Sequence, residues 1–146
     1  MKLGIGLIVA AFVFLPACGG SDDEKTGETS GAIEIEGSWT VLAAGVAVGT
    51  EVIDDETWSA DYGMGSTALE VVEFSNSDNA AVLKSPDGTY GRNVWTTPSD
   101  DGFHYCSVAY GKPSAEAAVE ESEIADDTDP DASGCGAFPW SKLTAE

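Results

Sequence analysis

Thirteen almost entirely apolar residues, Leu3–Leu15, give way to an acidic stretch free of aromatics, and then to short runs in which apolar and polar positions alternate. Alternation with period two is the pattern of strands that bury one face. The turns between the runs are sharper signals than the runs themselves. Ser75-Asn76-Ser77-Asp78-Asn79 separates Thr67–Phe74 from Ala80–Lys84, and Pro86-Asp87-Gly88 separates that run from Thr89–Thr97. Pro98-Ser99-Asp100-Asp101-Gly102 then precedes Phe103–Tyr110. Proline presets φ at about −65° for a turn's first central residue, and glycine supplies the positive φ that closes a hairpin. Three such turns predict four consecutive antiparallel strands. In the last strand Phe103, Tyr105 and Ser107 share one face, and His104, Cys106, Val108 and Tyr110 share the other. That parity turns Cys106 toward the core beside Val108. Val94 and Trp95 likewise face opposite ways.

Upstream, Gly37-Ser38-Trp39-Thr40-Val41-Leu42 opens the β-rich stretch, which has room for about seven or eight short strands before Tyr110. Downstream of Gly111-Lys112-Pro113 the pattern turns helical. Ser114 is a good N-cap, Glu116 suits the positive end of the helix dipole, and Ala115–Ala125 is rich in helix formers. These residues predict a helix over about 114–126 that lays Ala115, Ala118, Val119, Ser122 and Ala125 against a sheet. Asp126-Asp127-Thr128-Asp129-Pro130 ends it, and Gly134–Trp140 brings the chain back as a strap over the sheet. The expected fold is mainly β: an antiparallel meander, either an open sheet or a small barrel, with one C-terminal helix packed on it. It occupies 37–146 as one domain.

The N-terminus has a different character. Met1-Lys2 carries one positive charge ahead of the apolar run, which is too short for a bilayer span of about 20 residues. It ends in Leu15-Pro16-Ala17-Cys18, which resembles the lipobox of bacterial lipoproteins, with Pro16 departing from the usual Ala or Ser. The resemblance implies that 1–17 is a signal peptide and that Cys18 becomes the N-terminus. It also implies that Cys18 carries a diacylglyceryl thioether, with palmitate-type acylation of its amine. Each buried methylene contributes about 0.8 kcal/mol, so two or three chains anchor stably. Gly19, rather than Asp, fits passage to an outer membrane in an organism that has one, with the periplasmic and surface faces both open. Residues 18–36 then read as a lipidated Cys followed by a disordered acidic tether, GGSDDEKTGETSGAIEIE.

With Cys18 taken by lipid, Cys106 and Cys135 remain, 29 positions apart in an oxidising compartment. Two free thiols, a metal site or a Cys nucleophile are the alternatives. No further thiol or histidine stands at ligand spacing, so a disulfide is expected, worth about 3.5 kcal/mol on the chain-entropy model. Charge narrows the partners. All 26 acidic residues follow Cys18, against five basic ones. No basic stripe exists for nucleic acid, and docking on anionic head groups is disfavoured.

Candidate chemistry is sparse. His104 is the sole histidine, and a His104–Cys106 pair at i+2 can be written. It lacks an orienting acid and a nucleophile elbow, so no catalytic residue is assigned and a non-enzymatic role is expected. Asp127, Asp129 and Asp131 alternate like the first half of a calcium loop, the only cofactor suggested. However, Ala132 replaces the required Gly, Pro130 stiffens the loop, and Phe138 stands where the bidentate Glu belongs.

Gly37-Ser38-Trp39 resembles the Gly-x-Trp element of lipocalin-like and avidin-like barrels. That resemblance implies a tryptophan closing the barrel base and a cavity for a small apolar ligand, lined here by Trp39, Trp58, Phe74, Trp95 and Tyr105. A second resemblance spans roughly Gly37–Leu143. Val94-Trp95-Thr96, Phe103-His104-Tyr105-Cys106, the Ala-rich helix, Ala125–Pro130 and Gly134–Trp140 look like a domain of uncharacterised bacterial lipoproteins that pairs its two cysteines. The expected role is an envelope or surface lipoprotein with a binding or structural function, held to the membrane through Cys18. A lipocalin-like carrier of a small apolar ligand is the alternative.

Overall fold

A computed structural model describes residues 31–146. The signal segment, Cys18 and most of the expected tether lie outside the described residues. In chain order the elements are β1 (Gly37–Ala43), β2 (Val46–Ile53), β3 (Thr57–Asp61), β4 (Ser66–Ser75), β5 (Ala80–Lys84), β6 (Tyr90–Trp95) and β7 (Phe103–Lys112). They continue with α1 (Ala115–Glu120), β8 (Gly134–Cys135), β9 (Phe138–Pro139) and β10 (Ser141–Ala145). Strands β1 to β7 follow one another around the sheet, each antiparallel to the last, and β10 closes it between β7 and β1. The result is an eight-stranded closed barrel with no free edge.

The four strands predicted from turn chemistry are β4 to β7, paired as expected. In the last of their turns Gly102 has φ +100°, and a Cβ there would fall 1.8 Å from the Leu143 carbonyl oxygen. Glycine at this position is what lets β10 reach β7 and close the barrel.

Parity places the large side chains inside. Trp39, Val41, Ile53, Trp58, Phe74, Ala81, Leu83, Trp95, Phe103 and Leu143 form or pack against one interior cluster. A bulge on β4, where Val71 pairs with Leu83 but Glu73 with Val82, keeps both Val71 and Phe74 inward although they are three residues apart. Cys106 departs from expectation. It is buried, but on the outer face of the barrel, with Val108 and Trp140. Phe103 and Tyr105 claim the interior, so period two turns Cys106 outward, and the strap covers it there. The disulfide to Cys135 ties strap to barrel, with Cα atoms 5.5 Å apart.

The helix is shorter than expected. Ser114 caps it through the Ala117 amide (3.2 Å), and Ala118 is fully buried against Val82 and Ala109 on the outside of the sheet. It stops at Glu120 instead of reaching 126. Glu120, Glu121 and Glu123 crowd negative charge onto its C-terminal end, where the dipole favours cations, and no basic residue sits in the last turn. The Glu123 amide donates instead to the Val108 carbonyl (2.8 Å), at a bulge in β7.

The expected tether also ends earlier than Glu36. Ile33 and Ile35 are buried in the main core, and Asn76 holds their backbone by accepting from the Glu34 amide and donating to the Ala32 carbonyl, both at 3.0 Å. Two isoleucines alternating with glutamates bury enough apolar surface to order the segment. They plug one end of the barrel.

Candidate functional site

Antiparallel strands fix which residues share an end. Gly37, Ile53, Phe74, Trp95, Phe103 and Leu143 lie toward the plugged end; Val46, Asp61, Ser66, Lys84, Tyr90 and Lys112 lie toward the other. At the second end the interior is not filled. A cavity of about 280 Å³ opens there between strands β2 to β7. Its walls are Ala60, Leu69, Leu83, Gly91 and Asn93, with Tyr62, Tyr90 and Tyr110 around the rim.

Glu51 stands in the floor and is 1% exposed. On β2 the inward parity runs Gly49, Glu51, Ile53, while Val48 and Val52 are exposed outside. The polarity of the strand is thus inverted relative to a barrel with a purely apolar interior. The Glu51 carboxylate accepts three hydrogen bonds. Tyr62 and Tyr105 hydroxyls donate to Oε1 at 2.6 and 2.8 Å, and the Trp58 indole N–H donates to Oε2 at 2.7 Å. A buried carboxylate without such partners would be costly, and hydrogen bonds to a charged group contribute about 1.5–3 kcal/mol each. No basic side chain pairs with Glu51 among the described residues.

The tyrosines are placed by packing. Trp58 and Tyr105 meet edge to face, with ring centroids 5.2 Å apart. Tyr62 follows β3 and folds back over Gly49, where a Cβ would lie 2.5 Å from its ring. The missing side chain at 49 is what admits the ring and brings its hydroxyl to Glu51. Burial, and then the hydrogen bond and negative charge of Glu51, push the Tyr62 hydroxyl up to about 12. Tyr105 is raised further, by deeper burial first and by the Glu51 charge second. Both phenols therefore stay protonated and donating at neutral pH. Asn93, also buried, accepts from Ser107 Oγ at 2.6 Å through Oδ1 and lines the cavity.

Of the five aromatics expected to line a ligand site, Trp58 and Tyr105 line this cavity. Trp39, Phe74 and Trp95 belong to the plugged end. Trp39 packs at right angles on Phe103 (4.9 Å) and donates to the Ile35 carbonyl, and Trp95 donates to Glu34 Oε1 at 2.7 Å. Glu51, Tyr62 and Asn93 were not singled out by the sequence. The available signal was parity, since Glu51 shares its face with Ile53.

The remaining candidates lie elsewhere. His104 is on the outer face of β7, where its Nε2 is 3.0 Å from Asp131 Oδ1, and that hydrogen bond holds the Asp131 carboxyl below its ordinary range. Cys106 is in the disulfide, so the His104–Cys106 pair is not a nucleophile and base. Asp127, Asp129 and Asp131 do not converge on a point, and no cluster of three or more His, Cys, Asp or Glu suited to a metal occurs among the described residues. No protein-family model matches the chain, and no curated protein or solved structure shows significant similarity to it.

Proposed function

We propose that the chain is a membrane-anchored envelope lipoprotein, without enzymatic activity, whose barrel holds a small molecule in the cavity at its open end. The observation that supports binding is the contrast along the barrel axis. One end is packed shut by aromatics and two isoleucines, and the other keeps about 280 Å³ unfilled around polar groups. Barrels of eight strands are wide enough either to fill with side chains or to hold one small ligand, and this one does each at a different end. The volume is just below the usual range for ligand sites, about 300–1,000 Å³, so the ligand is small.

Anchoring rests on Leu15-Pro16-Ala17-Cys18. No helix among the described residues is long and apolar enough to cross a membrane. The chain enters the barrel through Ile33–Glu36 at the plugged end, opposite the mouth.

Native mass spectrometry of the protein extracted gently from its own membrane, before and after reduction, tests both halves. The expected spectrum has acyl mass on a chain beginning at Cys18, a gain of two protons on reduction, and a further non-covalent mass. Ala60→Trp, which fills the cavity, should lose that extra mass. A bare chain in both proteins would overturn the binding role, and an unlipidated chain would overturn the anchor.

A further inference from the structure

Resting on the binding role just proposed, we infer that the ligand is a small organic ammonium, a protonated primary or secondary amine, whose cationic head sits against Glu51 and the hydroxyls of Tyr62 and Tyr105. Charge comes first. Among the described residues the cavity is lined by one carboxylate, Glu51, and by no lysine, arginine or histidine. Nearby basic groups are engaged outside it: Lys112 with Glu121 at 2.7 Å, Arg92 with Ser122 at 3.3 Å. Among the described residues, then, the negative charge at the floor has hydrogen-bond donors but no counter-ion, and a buried carboxylate is best compensated by a cation.

Hydrogen bonding narrows the class. Each tyrosine spends its only proton on Glu51, so toward a ligand its hydroxyl oxygen can act only as an acceptor, polarised by the bond it donates. Oε2 receives the Trp58 indole alone and keeps acceptor capacity. The floor therefore offers acceptors to a group rich in N–H donors, which a quaternary ammonium is not. Trp58, Tyr62 and Tyr105 line the cavity beside Glu51, and an aromatic lining favours a cation over a neutral donor. Leu69 and Leu83 supply apolar wall for a short hydrocarbon body. A carboxylate or phosphate ligand meets the wrong sign throughout, in a chain whose formal net charge is −20.

The test titrates the full chain by calorimetry with three probes of one shape: 2-phenylethylammonium, neutral 2-phenylethanol and anionic 3-phenylpropionate. The ammonium should bind at least about tenfold more tightly than the alcohol, with no binding of the carboxylate, and Glu51→Gln should weaken the ammonium alone by about tenfold or more. Tyr62→Phe, which spares the buried acid, should weaken it by a smaller factor and guards against a misfolded Glu51 variant. Equal binding of ammonium and alcohol, unaffected by Glu51→Gln, would overturn the ammonium assignment and leave the cavity as a binding site. Binding of any probe that survives Ala60→Trp, or no binding of any probe at millimolar concentration, would overturn both.

Discussion

The two ends of this barrel are built from the same strands and solve opposite problems. At the plugged end Trp39, Phe74, Trp95 and Phe103 close over Ile33 and Ile35, and the indole N–H groups find partners in the entering chain, at Ile35 and Glu34. At the open end the inward positions of the same strands are Gly49 and Glu51 on β2, Ala60 on β3 and Asn93 on β6. There small and polar residues replace large apolar ones, and volume remains. A barrel needs one packed layer to hold its register. Once that layer exists, the other can carry a buried carboxylate and a void that would be costly in a core with nothing else to hold it.

That contrast predicts unequal responses to mutation. The largest effect belongs to the plugged end. Phe103→Ala, at a fully buried ring packed edge to face with Trp39, should lower the free energy of unfolding by about 3–5 kcal/mol in denaturant titration. Next is the strap. Replacing Cys106 and Cys135 together by Ala should cost about 3 kcal/mol, and reduction of the unmodified protein should lower its midpoint similarly. The open end follows. Tyr105→Phe removes one donor from a buried carboxylate and should cost about 1–3 kcal/mol, less than Phe103→Ala although the two residues share a strand face.

Alkaline titration sharpens the comparison. Because the folded Tyr62 hydroxyl is raised to about 12, the folded state holds a proton that the unfolded chain releases near the ordinary tyrosine value. Its stabilising contribution is complete below about pH 10 and is lost as pH climbs toward about 12. Tyr62→Phe should flatten the fall in stability over that window. An equally steep fall would break the link between Tyr62 and Glu51. The smallest effect is outside the barrel. His104→Gln, at a contact whose Asp131 partner is largely exposed, should move the unfolding midpoint only slightly.

Much of the fold was legible because its signals are local. Pro86-Asp87-Gly88 and Pro98–Gly102 mark hairpins whatever surrounds them, and Ser114 caps a helix by reaching its own first turn. Closure was not legible, because β10 pairs with β1 across about a hundred positions of sequence, and with β7 across about forty with the helix and strap between. Local pattern also misled. Cys106 beside Val108 reads as core until a second layer, the strap, is placed outside the barrel. Ile33 and Ile35 sit among acidic residues and read as tether until a barrel end needs a plug. The candidate site was the least legible part. Glu51 lies between Val48 and Val52, and the greasier parity of β2 is the exposed one. Only the neighbours that come with closure, Trp58, Tyr62 and Tyr105, turn that glutamate into the floor of a cavity.

The central claim is that the open end receives a ligand while the plugged end is structural, and the four tryptophans report on it directly. Trp58 lines the cavity, Trp39 and Trp95 are at the plugged end, and Trp140 belongs to the strap outside the barrel. The decisive measurement is an NMR titration of the full chain with 2-phenylethylammonium, following the indole N–H resonances. Saturable movement of the Trp58 indole, which donates to Glu51, with the other three unmoved, is the predicted result. Movement of Trp39 and Trp95 with Trp58 unaffected would place binding at the wrong end of the barrel and contradict the account.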